Sequence, residues 1–320
     1  MKILCLFYDG GYGVTRASNL IFNAIKNEYK DTIKHLSNIN NTYVIYDIIK
    51  NHNPDVIVTQ DYFSWIMNAI SCYKIDHHVK SILYSLYIDD IIPDGLETFD
   101  GFFVPENNSM KYSRNCVAAA SSVFYLPLEP NFRYDIEWSK RENNFIYAGR
   151  IDRTKLNLKI LSLLDKHHQT LHVYGAITDQ KHFSKCRRFN SFKYMGVATT
   201  NMMPSIFNKY KFHILYSETD CFSISSLEAA ACGTIPITIG RILKWMKDYS
   251  FQFSNIHEFS IMQPALLIHD LTKFSINISN KIDSNYRVAP FIEQFGRALK
   301  NPVKNIKPVI KSNFISHPQR

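Results

Sequence analysis

The chain has 320 residues, 46% of them hydrophobic and 14% aromatic, which excludes a disordered protein and leaves room for two domains with cores of their own. Lys and Arg number 37 against 28 Asp and Glu, a net charge of +9, so an anionic partner is expected, whether nucleotide, nucleic acid or membrane surface. The absence of an apolar run long enough to span a bilayer excludes a transmembrane segment, and six cysteines without a C-x-x-C pair point to reduced thiols in a cytoplasmic protein.

The first expected element is a strand from Ile3 to Tyr8. Gly10-Gly11-Tyr12-Gly13-Val14-Thr15-Arg16 follows directly, ahead of an amphipathic helix from about Ala17 to Tyr29. Glycines between a first strand and a helix let the backbone come close to an anion, although this run is neither a Walker loop nor a G-x-G-x-x-G fingerprint. Tyr43 to Asn51 reads as a helix and Val56 to Thr59 as a strand, with Gln60-Asp61 at its carboxyl end, the edge where parallel sheets place ligands. Lys80 to Tyr87, running into Asp89-Asp90, and Gly101 to Val104 are further buried strands. The polar stretch Tyr134 to Asn144 is a candidate linker, and Phe145 to Ala148 opens a second series. Strands Leu171 to Tyr174 and Phe192 to Gly196 and a helix from about Asn201 to Tyr210 continue it. Beyond about Asn255 the periodicity weakens until a late helix, Tyr286 to Leu299, and a basic tail. Alternating strands and helices predict parallel sheets. The expected domains are 1–143 and 144–280, with 281–320 packing back on the first.

Two stretches of the second half carry charge where a ligand would bind. Gly149-Arg150 follows a strand and Lys155 lies five residues on; a guanidinium binds phosphate bidentately and an ammonium adds a point charge. Phe212 to Tyr216 reads as a strand, Ser217 to Asp220 as a loop, and a helix begins near Cys221 or Phe222 and ends at Cys232-Gly233 before the strand Ile235 to Ile239. Carboxylates at Asp220 and Glu228 flanking a helix start suit a ligand with sugar hydroxyls and a phosphate; the plainer alternative is a crossover with solvated carboxylates. Lys181 to Lys193 mixes five basic residues with Phe183, Phe189 and Phe192, the composition of a nucleic-acid surface. A solvated helix face with the three rings in the core explains it better.

Asp220-x7-Glu228 followed by Ala-Ala-Ala-Cys-Gly-Thr-Ile-Pro resembles the E-x7-E region of retaining GT-B nucleotide-sugar glycosyltransferases, with Asp in place of the first Glu. Gly149-Arg150-x4-Lys155 is similar to their G-R-x4-K motif. Gly-x-Gly-Val-Thr-Arg at the start of the chain and Ala-Cys-Gly-Thr-Ile-Pro later resemble the DNA α-glucosyltransferases of T-even phages. The resemblance implies an α/β GT-B fold, two Rossmann-like domains facing across a cleft, and transfer of a hexose from a UDP-sugar, with UDP-glucose the first expectation. It implies Arg150 and Lys155 on the diphosphate, Glu228 on the ribose and Asp220 on the hexose. Gly11, Gly13 and Gly149 would flank the phosphates, and the N–H groups of Cys221, Phe222, Ser223 and Ile224 would face them. The catalytic histidine of many relatives has no counterpart, which leaves Asp89, Asp90 or Asp61 on the acceptor side. The family generally works without a divalent ion, so no metal is expected. The implied acceptor is DNA carrying a hydroxymethylated base. The alternatives are a surface glycan or lipid-linked saccharide and, from another class, a non-catalytic nucleotide-sugar-binding protein.

Overall fold

The structure, a computed structural model, describes residues 1–8, 12–60, 63–84, 98–104, 121–123, 126–217, 222–240, 242–243 and 246–300. It divides into two compact units, one of Met1–Phe124 with the chain from Phe291 on, the other of Tyr125–Pro290.

The first unit contains β1 (Ile3–Tyr8), α1 (Tyr12–Glu28), β2 (Thr32–Ser37), α2 (Thr42–His52), β3 (Val56–Thr59), α3 (Ser64–Asp76), β4 (Lys80–Tyr84), β5 (Gly101–Val104) and β6 (Ser121–Val123). The six strands form one sheet in the order β2-β1-β3-β4-β5-β6, with every pair parallel. β1, β3 and β4 are near-continuous apolar runs buried on both faces, as strands covered by helices on each side must be. α1 starts five residues before the expected Ala17, so Gly13 lies within its first turn rather than in a loop. A helical glycine costs only about 1 kcal/mol, which packing of the helix overrides. α2 is closed at its start by Asn41, whose Oδ1 accepts from the N–H groups of Tyr43 and Val44, and at its end by Asn53 in the left-handed region. A buried ion pair, Lys74 Nζ to Asp100 Oδ2 at 2.8 Å, ties α3 to the turn before β5.

The second unit contains β7 (Glu142–Ala148), α4 (Leu158–Lys166), β8 (Leu171–Tyr174), α5 (Gln180–Cys186), β9 (Phe192–Gly196), α6 (Met203–Lys209), β10 (Tyr210–Ser217), α7 (Ile224–Ala231), β11 (Ile235–Gly240), β12 (Phe251–Phe253), α8 (Ile256–Ile268) and α9 (Thr272–Asn285). Its sheet is again six-stranded and parallel, in the order β12-β11-β10-β7-β8-β9. The residues before β7 belong to its core: Trp138 and Arg141, inside the polar stretch 134–144, are each 4% exposed. α8 and α9 occupy the region where sequence periodicity fades. α10 (Val288–Lys300) leads back to the first unit. There Phe291 lies 5.3 Å from the Tyr84 ring, Phe295 lies 5.6 Å from Tyr29, and Lys80 Nζ donates to the Leu299 carbonyl at 2.6 Å. Among the described residues, no helix is long and apolar enough to cross a membrane.

Candidate functional site

In both sheets the strand order reverses once, and ligands of open α/β sheets bind outside the carboxyl ends of the strands at such a reversal. In the second unit the reversal falls between β7 and β10, because the chain steps from β7 out through β8 and β9 and returns to β10 on the other side. Gly149, Arg150 and Lys155 follow β7, while Ser223, Ile224 and Glu228 follow β10. The topology therefore brings the two charged stretches to one edge of one sheet.

The loop after β7 is organised by Asp152, which sequence reasoning missed. Its Oδ1 accepts from the N–H of Thr154 (2.8 Å), the Thr154 hydroxyl (2.5 Å) and the N–H of Lys155 (3.1 Å), and its Oδ2 accepts from the Thr178 hydroxyl (3.2 Å). Burial alone would raise the pKa of this carboxyl, but the Thr154 and Thr178 bonds and the positive Arg150 together hold it below the ordinary carboxylate value. Asp two residues before a hydroxyl residue is the mark of an Asx turn, and it was the available signal. Arg150 itself is solvated: its side chain is 46% exposed and its Nε lies 3.8 Å from Asp152 Oδ2. The loop is also tied to its neighbours. The Gly149 N–H donates to the Tyr174 carbonyl (3.0 Å), Ile151 N–H to Ala176 (2.9 Å), and Gly175 N–H to Gly196 (2.9 Å). The ends of β7, β8 and β9 are thus one hydrogen-bonded edge.

On the other side, α7 starts at Ile224, later than the expected Cys221 or Phe222. The reason is Ser223, which adopts an extended backbone and caps the helix, its Oγ accepting from the Ser226 N–H at 3.2 Å. Phe222 and Ser223 therefore precede the helix, and the first-turn N–H groups that lack an intrahelical acceptor are those of Ile224 and Ser225. Glu228 lies one turn further on and is only 7% exposed. The helix closes with the N–H of Gly233 on the Ala230 carbonyl (2.9 Å) and that of Thr234 on Ala229 (3.0 Å), with Gly233 at φ 75.

Beneath the cap, Ser223 Oγ bonds Ser226 Oγ at 2.8 Å, and Ser226 Oγ meets His213 Nδ1 at 3.4 Å. His213, on β10, is fully buried, and burial pushes its pKa down to about 3. The folded state thus binds this proton less tightly than the unfolded chain, whose histidine titrates near 6.5. Its stabilising contribution is complete above about pH 6.5 and is lost as pH falls from there toward 3, by at most about 1.4 kcal/mol per pH unit. Urea midpoints recorded from pH 7 to pH 5 should show a shallower acid-side decline in His213→Gln than in the parent chain; equal slopes would contradict this account.

Asp220, Cys221, Gly11, Asp89, Asp90 and Asp61 lie outside the described residues. The Lys181–Lys193 stretch splits into α5 and the start of β9, with Phe183 and Phe192 buried and their rings 5.8 Å apart. These two rings belong to the core rather than to a stacking surface.

No protein-family model and no curated protein sequence matches the chain. Solved structures do. Sucrose-phosphate synthase from Thermosynechococcus elongatus is similar with a TM-score of 0.73 at 10% identity, over 94% of this chain and 98% of that one. The lipopolysaccharide outer core galactosyltransferase WaaB, in its apo form, is similar with a TM-score of 0.68 at 14% identity, over 93% and 99%. UDP-GlcNAc 2-epimerase from Neisseria meningitidis, bound to UDP-GlcNAc, is similar with a TM-score of 0.58 at 11% identity, over 93% and 99%. The fold is therefore GT-B, two parallel-sheet α/β domains, and it serves an epimerase as well as transferases.

Proposed function

We propose that the chain is a glycosyltransferase whose nucleotide-sugar donor binds at the carboxyl edge of the second sheet. One observation carries this reading: the Gly149-Arg150…Lys155 loop and the Ser223-capped helix bearing Glu228 leave adjacent strands at the reversal of strand order. Glycosyl transfer forms a bond from an acceptor oxygen to the sugar's anomeric carbon and breaks the bond from that carbon to the diphosphate. Negative charge develops on the departing nucleoside diphosphate. Arg150 and Lys155, with the N–H groups of Ile224 and Ser225, are the groups suited to stabilise it. In this reading Glu228 accepts from the ribose hydroxyls and Asp220 from the hexose.

The donor we propose is a UDP-hexose, with glucose first; the epimerase above, bound to UDP-GlcNAc, supports a UDP-sugar on this fold. Transfer with retention follows if the donor phosphate takes the acceptor's proton on the face it leaves, a route that needs no strong base, with Asp89 as the assisting carboxylate. Arg150→Ala should lower kcat about 10²-fold. Its melting temperature should hardly change, because so exposed an ion pair contributes little. A rate within a factor of three of the parent would remove Arg150 from the site. Treatment with EDTA should leave turnover unchanged.

For the acceptor, the motifs at Gly11–Arg16 and Ala231–Pro236 favour a hydroxymethylated base in DNA. The similarity to WaaB, named for lipopolysaccharide, favours a saccharide as the second reading. Radiolabelled UDP-glucose offered with hydroxymethylcytosine DNA, hydroxymethyluracil DNA, unmodified DNA and lipopolysaccharide core separates them. Label in a modified DNA alone supports the first reading and label in the saccharide alone the second. If UDP-glucose and UDP-GlcNAc neither bind nor turn over, the glycosyltransferase reading fails.

A further inference from the structure

α5 and the turn after it carry charges that the candidate donor site does not use. Lys181, Lys185, Arg187, Arg188 and Lys193 are all exposed. Among the described residues none of the five pairs with a carboxylate; the ion pairs of the second unit are made by other side chains. Two acids touch this segment, and both are engaged by its backbone. Asp179 caps α5, its Oδ1 accepting from the His182 N–H at 2.9 Å, and Asp165 accepts from the N–H groups of Asn190 (3.2 Å) and Ser191. They offset at most two of the five positive charges. Protein surfaces ordinarily intersperse the two signs, and a field of one sign attracts a partner of the other.

Helical spacing sets three of these cations in a row. Lys181, Lys185 and Arg188 stand at i, i+4 and i+7, and the Arg188 N–H on the Lys185 carbonyl (3.2 Å) continues the winding past the end of α5. Seven residues at the helical rise make a row roughly 10 Å long, which is three steps of one DNA strand at about 3.4 Å each. The row starts beside the candidate donor loop, where the Thr178 hydroxyl donates to Asp152 and His182 Nε2 donates to the Leu156 carbonyl at 2.7 Å. Between Gln180 and Asn190 every exposed residue is polar or basic. A face that docks on a bilayer inserts apolar side chains, and this segment presents none. Phe183 and Phe192 are buried, so they cannot stack on bases as the aromatics of single-strand binders do. Cations in a row without apolar or aromatic companions suit the phosphates of a duplex, which position a protein and carry no sequence information.

We propose that the outer face of α5, with the turn through Lys193, is a contact surface for the phosphate backbone of duplex DNA, held without regard to sequence. That this contact serves a DNA acceptor rests on the glycosyltransferase reading; the binding itself does not.

The test is fluorescence anisotropy with a labelled, unmodified duplex of about 20 base pairs, at roughly 50 to 200 mM salt. It compares the full chain with Lys181→Gln/Lys185→Gln/Arg188→Gln. The control, Lys140→Gln/Lys209→Gln/Lys281→Gln, removes the same charge from lysines already paired with Glu137, Glu142 and Asp248. The parent should bind, and the row variant should lose affinity roughly 10²-fold at 100 mM salt, with a log–log salt slope shallower by about 2 to 3. The control should change by less than about threefold, and all three proteins should melt alike, because the substituted side chains are exposed. Lys185→Glu alone serves if the triple variant melts lower. A parent that does not bind the duplex, or equal losses in the row variant and the control, overturns the proposal. Vesicles of phosphatidylglycerol and of phosphatidylcholine are included because Met195 and Val197, further along, are exposed. Capture by the acidic vesicles through the same three residues, with no binding to the duplex, overturns it in favour of a membrane surface. If the duplex binds through the row but no sugar is ever transferred, the catalytic reading fails and the contact surface stands. In an active protein the row variant should raise the KM for acceptor DNA and leave donor hydrolysis unchanged.

Discussion

Arg141→Met should lower the stability of the second unit by about 2–4 kcal/mol, because several buried acceptors lose their donor together, each at about 1–3 kcal/mol if left unmet. Arg141 is 4% exposed and spends its donors on neutral acceptors. Its Nε donates to the Ile136 carbonyl (2.9 Å), and Nη2 to Asn208 Oδ1 (3.1 Å) and the Cys232 carbonyl (2.7 Å). Nη1 reaches Thr234 Oγ1 (3.2 Å) and the Tyr210 carbonyl (3.4 Å). Burial lowers the guanidinium's pKa, with Tyr134 and Cys232 acting in the opposite sense. The charge is tolerated because Cys232 caps the C-terminal end of α7, the negative end of that helix, and because the guanidinium lies 4.8 Å from the Tyr134 ring centroid. Methionine fills the volume and leaves these acceptors unmet. Lysine, with a single cationic head, should recover only part of the loss. Urea denaturation followed by tryptophan fluorescence, compared with a Trp138→Phe background to isolate the signal of Trp138 from the chain's other two tryptophans, reads the effect. A loss under about 1 kcal/mol would mean that the acceptors find other donors.

The second large effect is expected at Gly175. Its φ is 152, and a Cβ added there would lie 1.8 Å from the carbonyl oxygen of Gly149 and 2.7 Å from its carbonyl carbon. Backbone atoms cannot move aside as a side chain would. Gly175→Ala should therefore cost about 3 kcal/mol or more in strain and displacement. The displaced atom precedes Arg150, so UDP binding measured by calorimetry should weaken as well. Gly196→Ala is the control: its φ is 93 and its Cβ would meet nothing within 4 Å, so only the backbone cost of about 1–2 kcal/mol applies. Equal effects of the two substitutions would show that the Gly149 contact is unimportant.

The strands at the centre of each sheet could be read from sequence because a strand buried on both faces is an unbroken apolar run, as in Ile3 to Phe7 and Val56 to Val58. The edge strand β2, Thr-Ile-Lys-His-Leu-Ser, mixes polar and apolar residues and gives no such run. α8 is apolar around its circumference and contains Pro264, so it has no stripe to detect; α9 is mostly polar. The charged side chains of the candidate donor site were visible because phosphate chemistry demands them. The groups that hold them in place were harder to see: Asp152 left only the local mark of an Asx turn, and Gly175, Ser226 and His213 act through tertiary contacts that no local pattern encodes. Arg141 misled for the same reason, looking like a solvated linker residue while sitting in a core.

The first unit is completed by a helix that follows the whole of the second unit in the chain. On the ribosome this ordering has a cost in time. Once residue 124 has emerged, all of Tyr125–Pro290 must be synthesised before Phe291 can cover Tyr84, a delay of roughly 10–30 s at typical elongation rates. During that interval the nascent first sheet lacks part of its cover, and the apolar surface that Phe291 and Phe295 bury in the finished unit is available to chaperones and to neighbouring chains. Yield in a cell should accordingly respond to translation speed and to chaperone supply more than the stability of the finished protein would indicate.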